Sequence, residues 1–288
     1  MKKAFLILRA HHWIKNLLIL GPIVVTHSFI IDDYLQYLLA VVTFSLCASS
    51  IYLFNDYFDL EDDLKNKDKS ERAYASGSIN SSQLWLIIIA LNSLVFMIEF
   101  FYLKLGISYS LGVYILINIL YTIRLKRIKY IDIFCLVIFY CIRVYTGLSL
   151  IKDGSHPSNW FYLFIFLLFL SLASSKRYTS LIKKIKYNSY ENRPYINSDL
   201  LTLKQLVLVP IILCNIIFAW YFLFEAQKIY QYPKFLFLIP LCFLFFSIAY
   251  IKNLASGNMR SDPVVAVIKD VKLCFPLIAL MIIFVISY

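Results

Sequence analysis

Residues 36–63 read QYLLAVVTFSLCASSIYLFNDYFDLEDD, an apolar run that ends abruptly in five carboxylates. Residues 36–55 carry no charged side chain, and about 20 apolar residues are what a helix needs to cross the hydrocarbon core of a bilayer. The stretch therefore reads as a membrane-spanning helix continued by an acidic helix end. The whole chain agrees. Its 288 residues are 61% hydrophobic and only 16% charged, with a mean hydropathy of +0.73, which excludes a water-facing globule. Abundant apolar surface, with 24 Phe and 22 Tyr, excludes disorder.

Working outward, apolar windows fall near 17–31, 36–55, 84–104, 107–123, 131–151, 160–175, 205–225, 233–251 and 264–287. They predict an all-α integral membrane protein of nine transmembrane helices, a single domain over 1–288. The junctions 1–16, 56–83, 124–130, 176–204 and 252–272 hold 23 of the 28 Lys and Arg, whereas the opposite junctions hold only Lys104, Lys152, Lys228 and Lys234. The excess of positive charge on cytoplasmic loops places the first set, and the N-terminus, in the cytoplasm and the C-terminus outside. Twelve of the 17 Asp and Glu lie in or beside the same junctions. Mixed charge on one membrane face points to a metal and an anionic ligand bound from the cytoplasm. The six cysteines sit in apolar runs without metal-ligand spacing and are expected to be reduced. The first sixteen residues lack a small-residue cleavage site, so the first span is expected to stay as an anchor. No nucleic-acid partner is expected, and the sequence gives no oligomeric state.

At about 100° per residue, with Asn55 at zero, Asp59 falls at about 40°, Asp63 at about 80° and Asp56 at about 100°. Four oxygen-bearing side chains share one helix face. Mutual repulsion makes that arrangement costly without a cation between them. Magnesium, which takes a few carboxylates together with substrate phosphates and water, suits it. Asp62, at about −20°, is an alternative ligand.

Here the sequence resembles a family. Asn55-Asp56-x-x-Asp59-x-x-x-Asp63 closing the second span is similar to the first aspartate-rich motif of the UbiA superfamily of intramembrane prenyltransferases. The following Lys69, Arg72 and Gly77 resemble the decaprenyl-phosphate phosphoribosyltransferase branch of that superfamily. So do LRAHHWIKNLLIL near the start, YTIRLKR before the fifth span and SKRY after the sixth. Ala10, Ala73 and Ser180 depart from the family's usual Pro, Pro and Glu.

The resemblance implies a UbiA-like bundle. It also implies magnesium-dependent transfer of 5-phosphoribose from 5-phosphoribosyl 1-diphosphate to a polyprenyl phosphate, for cell-envelope polysaccharide synthesis at a bacterial inner membrane. In that reading Asp56, Asp59 and Asp63 hold Mg²⁺ against the diphosphate, and Lys126, Asp132 and Arg143 complete the reacting centre. Lys15, Asn16, Asn55, Lys69, Arg72, Tyr121, Lys176 and Arg177 bind the substrates.

Several of these have plainer readings from the residues alone. Arg9, His12, Trp13, Lys15 and Asn16 form an interfacial anchor pattern, and Lys126 can be one more cytoplasmic charge. Adjacent His11 and His12 point apart on a helix and are not read as a metal pair. Arg143 is different, because an arginine inside a span costs at least about 2.5 kcal/mol unless it faces a partner or a polar interior. It lies three helical turns beyond Asp132 and is expected to meet an anion or a carboxylate. Lys183, Lys184 and Lys186 read as a solvated helix near anionic lipid, and Asp262 and Asp270 enter the last span. A single Asp132 at the fourth junction, where aromatic prenyltransferases carry several aspartates, favours the phosphoribosyl branch. The alternatives are an aromatic prenyltransferase using a prenyl diphosphate and, in a different class, an ion-coupled transporter.

Overall fold

The computed structural model describes residues 2–26, 34–66, 69–103, 105–151, 156–187, 190, 192–226, 235–255, 266–267 and 270–286. Every regular element among them is helical. The elements are α1 (Lys2–Ile7), a 3₁₀ segment (Ala10–Leu20), α2 (Gly21–Thr26), α3 (Tyr34–Phe58), α4 (Leu60–Lys65), α5 (Ser81–Tyr102), α6 (Leu105–Ile123), a 3₁₀ turn (Leu125–Arg127), α7 (Ile131–Leu148), α8 (Asn159–Tyr187), a 3₁₀ turn (Asn197–Asp199), α9 (Leu200–Trp220) continued by a π-helical turn (Tyr221–Glu225), α10 (Leu238–Ala255) and α11 (Val271–Ile286). They group into two compact units, Met1–His156 with Tyr187–Pro194, and Pro157–Lys186 with Tyr195–Tyr288.

Seven helices among the described residues are long and apolar enough to cross a membrane. They coincide with seven of the nine expected windows. The first and last windows differ. Over 17–31 the chain is 3₁₀ to Leu20 and then a six-residue helix to Thr26, and residues 27–33 lie outside the described residues. The last window holds the sixteen-residue α11, which contains Pro276.

The first unit is built around α3. Its small residues Ala40, Ala48, Ser45, Ser49 and Ser50 are buried, letting neighbouring backbones approach closely as small residues do inside membranes. Phe44, Cys47 and Ile51 of α3 pack with Tyr114 of α6, with Phe139 and Ile142 of α7, and with Ile19. On another side Leu53 meets Leu84, Ile88 and Leu91 of α5. That helix starts on a capping box in which Asn80 and Gln83 satisfy each other's backbone N–H groups.

Eleven residues are long for a 3₁₀ run, whose hydrogen bonds are poorly aligned. Side chains of α3 hold this one in place. Asn16 Nδ2 donates to Ser45 Oγ at 2.9 Å, Trp13 Nε1 donates to Ser49 Oγ at 2.9 Å, and Ser49 Oγ donates to the Leu8 carbonyl at 2.7 Å. On the opposite side stands Gly147 of α7, where an added Cβ would lie 2.1 Å from the Ile19 carbonyl oxygen. Only a glycine admits the segment at this distance. Against the expectation that adjacent His11 and His12 point apart, their ring centroids are 4.1 Å apart.

In the second unit Phe164, Phe218 and Phe243 form an aromatic cluster linking α8, α9 and α10, with Phe164 stacked on Phe218 and Phe243 edge-on to both. Ser171 Oγ donates to the Val207 carbonyl at 2.9 Å, and Asn215 Nδ2 to Ser247 Oγ at 2.9 Å. All six cysteines are free, as expected.

Candidate functional site

Helix α3 carries Asn55 and Asp56 in its last turn, breaks at Asp59 (φ −98°, ψ 8°), and resumes as α4 with Asp63. The break leaves the helical hydrogen bonds Asp59 N to Asn55 O and Asp63 N to Asp59 O intact. The four polar groups therefore stay on neighbouring faces, as the helical spacing predicts. They form two sets.

In the first set, Asp56 Oδ1 accepts from Arg9 and, at 3.2 Å, from Arg72 Nη1, which also donates to Asp63 Oδ2 at 2.6 Å. Asp56 and Asp63 are only 4% and 1% exposed. Burial raises the Asp63 carboxyl above its ordinary range, and the adjacent Arg72 opposes that shift. In the second set, Asp59 Oδ1 accepts from Lys126, and Asp59 Oδ2 accepts from Asn55 Nδ2 at 2.9 Å. Thr122 Oγ1 lies 3.4 Å from Asn55 Oδ1.

Arg9 reaches Asp56 because its backbone is left-handed, with φ 49° and ψ 43°, a conformation that ordinary side chains adopt at a cost. Its guanidinium also lies over the Tyr52 ring. Arg72 comes from the turns after α4, which close through Gly77 at φ 72°, a value suited to glycine. Lys126 is buried on the 3₁₀ turn between α6 and α7. There Arg193 Nη1 donates to its backbone carbonyl at 3.2 Å, and the Arg193 guanidinium lies over Tyr121.

Asp62 takes no part in either set. Its oxygens accept from Tyr190 OH at 2.8 Å and Asn192 Nδ2 at 2.6 Å. Partial burial pushes its pKa up, but these hydrogen bonds outweigh that and hold it below the usual carboxylate range. With Asn66 donating to the Tyr190 carbonyl at 2.6 Å, Asp62 ties Tyr190 and Asn192 to α4.

The remaining expected residues spread more widely. Lys69 lies on the turn beside Asp63, close enough to favour its charged form. Lys15 is buried in the 3₁₀ segment. Asn16 faces the protein interior, where its Oδ1 accepts from Arg143 Nε at 2.7 Å. Arg143, 3% exposed, also donates to the Phe139 carbonyl and to Tyr114 OH at 3.0 Å. All three partners are neutral, so the expected carboxylate is not among the groups it touches. Asp132 is fully buried in the first turn of α7. Lys176 and Arg177 belong to α8 in the second unit, Arg177 buried. Asp270 accepts from Asn253 Nδ2 at 2.6 Å, and Asp262 lies outside the described residues. Arg9, Thr122 and Arg193 were not expected at the site, although Arg9 stands in the basic N-terminal pattern.

The donor chemistry suits a hard divalent cation: oxygen ligands only, next to cations able to face phosphate. Among the described residues, however, no three acidic, His or Cys side chains are gathered at metal-binding distance.

The UbiA prenyltransferase family profile matches residues 19–188, more than half of the chain and the whole of this cluster apart from Arg9 and Arg193. The chain belongs to the UbiA prenyltransferase family. Among curated proteins similar to this UbiA member is the decaprenyl-phosphate phosphoribosyltransferase of Mycolicibacterium smegmatis, 32% identical over 180 residues, which covers 60% of this chain and 55% of that protein. An uncharacterised protein of Sinorhizobium fredii is 28% identical over 207 residues, 67% of this chain and 37% of that protein. The chain thus spans about a third to a little over half of the curated relatives it matches. Among solved structures, the UbiA homolog of Archaeoglobus fulgidus bound to DMAPP and Mg²⁺ aligns with TM-score 0.64 at 15% identity, over 96% of this chain and 98% of that one. The fold is thereby UbiA-like.

Proposed function

We propose that this UbiA-family chain is a magnesium-dependent transferase, one domain over 1–288, that moves 5-phosphoribose from 5-phosphoribosyl 1-diphosphate onto a polyprenyl phosphate at the cytoplasmic face of a bacterial inner membrane. One observation carries the reading: three carboxylates from one helix end, two of them (Asp56 and Asp63) buried, are interleaved with Arg9, Arg72 and Lys126. Such a lattice suits a diphosphate held with a divalent ion, since each carboxylate has metal-ligand chemistry and each cation can face a phosphate oxygen. The likeness to the Mycolicibacterium enzyme supports the phosphoribosyl branch.

In this mechanism Asp56, Asp59 and Asp63 would hold Mg²⁺, which would supply charge neutralisation for the leaving diphosphate. Arg9, Arg72 and Lys126 bind and orient the donor's phosphate oxygens. Arg193 and Tyr121 fix the Lys126 turn. The bond from ribose C1 to the diphosphate oxygen breaks, with its electron pair leaving on the diphosphate, and C1 gains oxocarbenium character. A lipid phosphate oxygen, already anionic at neutral pH, forms the new bond to C1 without needing a base. Asn16 and Arg143 act at a distance, by holding the N-terminal 3₁₀ segment that carries Arg9.

Donor choice is tested by offering the purified protein labelled 5-phosphoribosyl 1-diphosphate with polyprenyl phosphate, and in parallel a prenyl diphosphate with an aromatic acceptor. A ribosylated lipid is expected. A prenylated ring without ribosylated lipid overturns the branch assignment. Transport of either substrate without product formation overturns the enzyme reading.

A further inference from the structure

The three carboxylates are not waiting as a metal cage, because each is already occupied by a cation of the chain itself. Arg9 and Arg72 converge on the same oxygen, Asp56 Oδ1, and Arg72 also closes on Asp63, while Lys126 closes on Asp59. Two guanidiniums directed at one oxygen repel each other. They are arranged as they would be around an anion with more oxygens to offer. We propose that Arg9, Arg72 and Lys126 are exchange counter-ions: they hold the carboxylates until a diphosphate arrives with its divalent ion, then pass to the diphosphate while the carboxylates pass to the metal. The proposal rests on the metal-and-diphosphate reading above and adds the order in which the site accepts the two.

Charge balance drives the exchange. Three carboxylates and three cations are neutral together, and Asp56, Asp63 and Lys126 are buried. A divalent ion entering alone would displace cations that have no other anion to face, leaving unpaired charge in a poorly solvated pocket, which is strongly unfavourable. A divalent ion entering with a diphosphate brings the anion that the displaced cations need. The site therefore discriminates against free metal and against metal-free diphosphate, and each strengthens binding of the other by the same factor.

The test is a Mn²⁺ titration of the full-length protein in detergent, followed by electron paramagnetic resonance, with and without inorganic pyrophosphate. Each titration is corrected by a protein-free control. Wild type is expected to bind Mn²⁺ at least about tenfold more tightly with pyrophosphate, within the usual range of coupled binding. Arg9→Gln and Arg72→Gln are each expected to bind Mn²⁺ alone more tightly than wild type and to shrink the pyrophosphate effect, an unusual gain of metal affinity on removing a side chain that is no ligand. If one variant fails to fold, the other carries the same expectation. Equal Mn²⁺ affinity in wild type with and without pyrophosphate, or variants that bind Mn²⁺ alone no better than wild type, overturns the exchange and leaves the metal site standing. Absence of protein-bound Mn²⁺ in both arms overturns the metal reading and the exchange with it.

Discussion

Asp56, Asp59 and Asp63 were legible from sequence because helical spacing sets which side chains share a face, and the break at Asp59 is too slight to scatter them. Arg9 was not, because it pairs with Asp56 across 47 residues through a left-handed backbone that no periodicity announces. Arg143 was half legible: the cost of a charge inside a span marks the residue, but not its neutral partners. Because Asn16 and Arg143 bond to each other, Asn16→Ala and Arg143→Ala should be non-additive. A double-mutant cycle on thermal unfolding in detergent should give a coupling of about 0.5–3 kcal/mol, and strict additivity would separate them. Gly77 adopts φ 72° with open space around it, so Gly77→Ala carries backbone strain alone. It should cost about 1–2 kcal/mol, read as a lower unfolding midpoint.

At the scale of elements, seven apolar windows form helices of spanning length because nothing within them interrupts the pattern strongly enough, even Pro210 inside α9. In the first window the described residues end at Thr26. Its apolar composition is that of a span, yet serines of α3 and the bare face of Gly147 hold the preceding residues in a 3₁₀ run. Composition reports burial, not the hydrogen bonds that choose between helix types. Gly147→Ala should accordingly force α7 away from Ile19, where the new Cβ would meet the carbonyl oxygen at 2.1 Å. A loss of about 1–3 kcal/mol is expected, as for other overpacked sites, with reduced turnover because Arg9 is displaced with the segment. An unfolding midpoint equal to wild type would show that the contact is not tight.

For the whole molecule, we propose from the partition of basic residues that the carboxylate cluster faces the cytoplasm. Single cysteines introduced at Glu71 and at Lys186, both exposed, in a background lacking the six native cysteines, should resist an impermeant reagent in intact cells and react after lysis. Labelling of either in intact cells would invert the topology. The family was legible from a nine-residue acidic motif because its chemistry demands oxygen ligands at helical spacing, whereas the substrate was not, since carboxylates and cations suit any diphosphate. The central claim is that this cluster handles the donor diphosphate, and it is tested most directly by turnover of Asp59→Asn. That change removes a charge and keeps the side-chain shape. With labelled 5-phosphoribosyl 1-diphosphate, polyprenyl phosphate and Mg²⁺, the variant should remain folded at assay temperature, with an unfolding midpoint lowered because buried Lys126 loses its charged partner, and lose label transfer by orders of magnitude, as should wild type after chelation. Near-normal transfer by the folded variant, or by chelated wild type, would contradict the account.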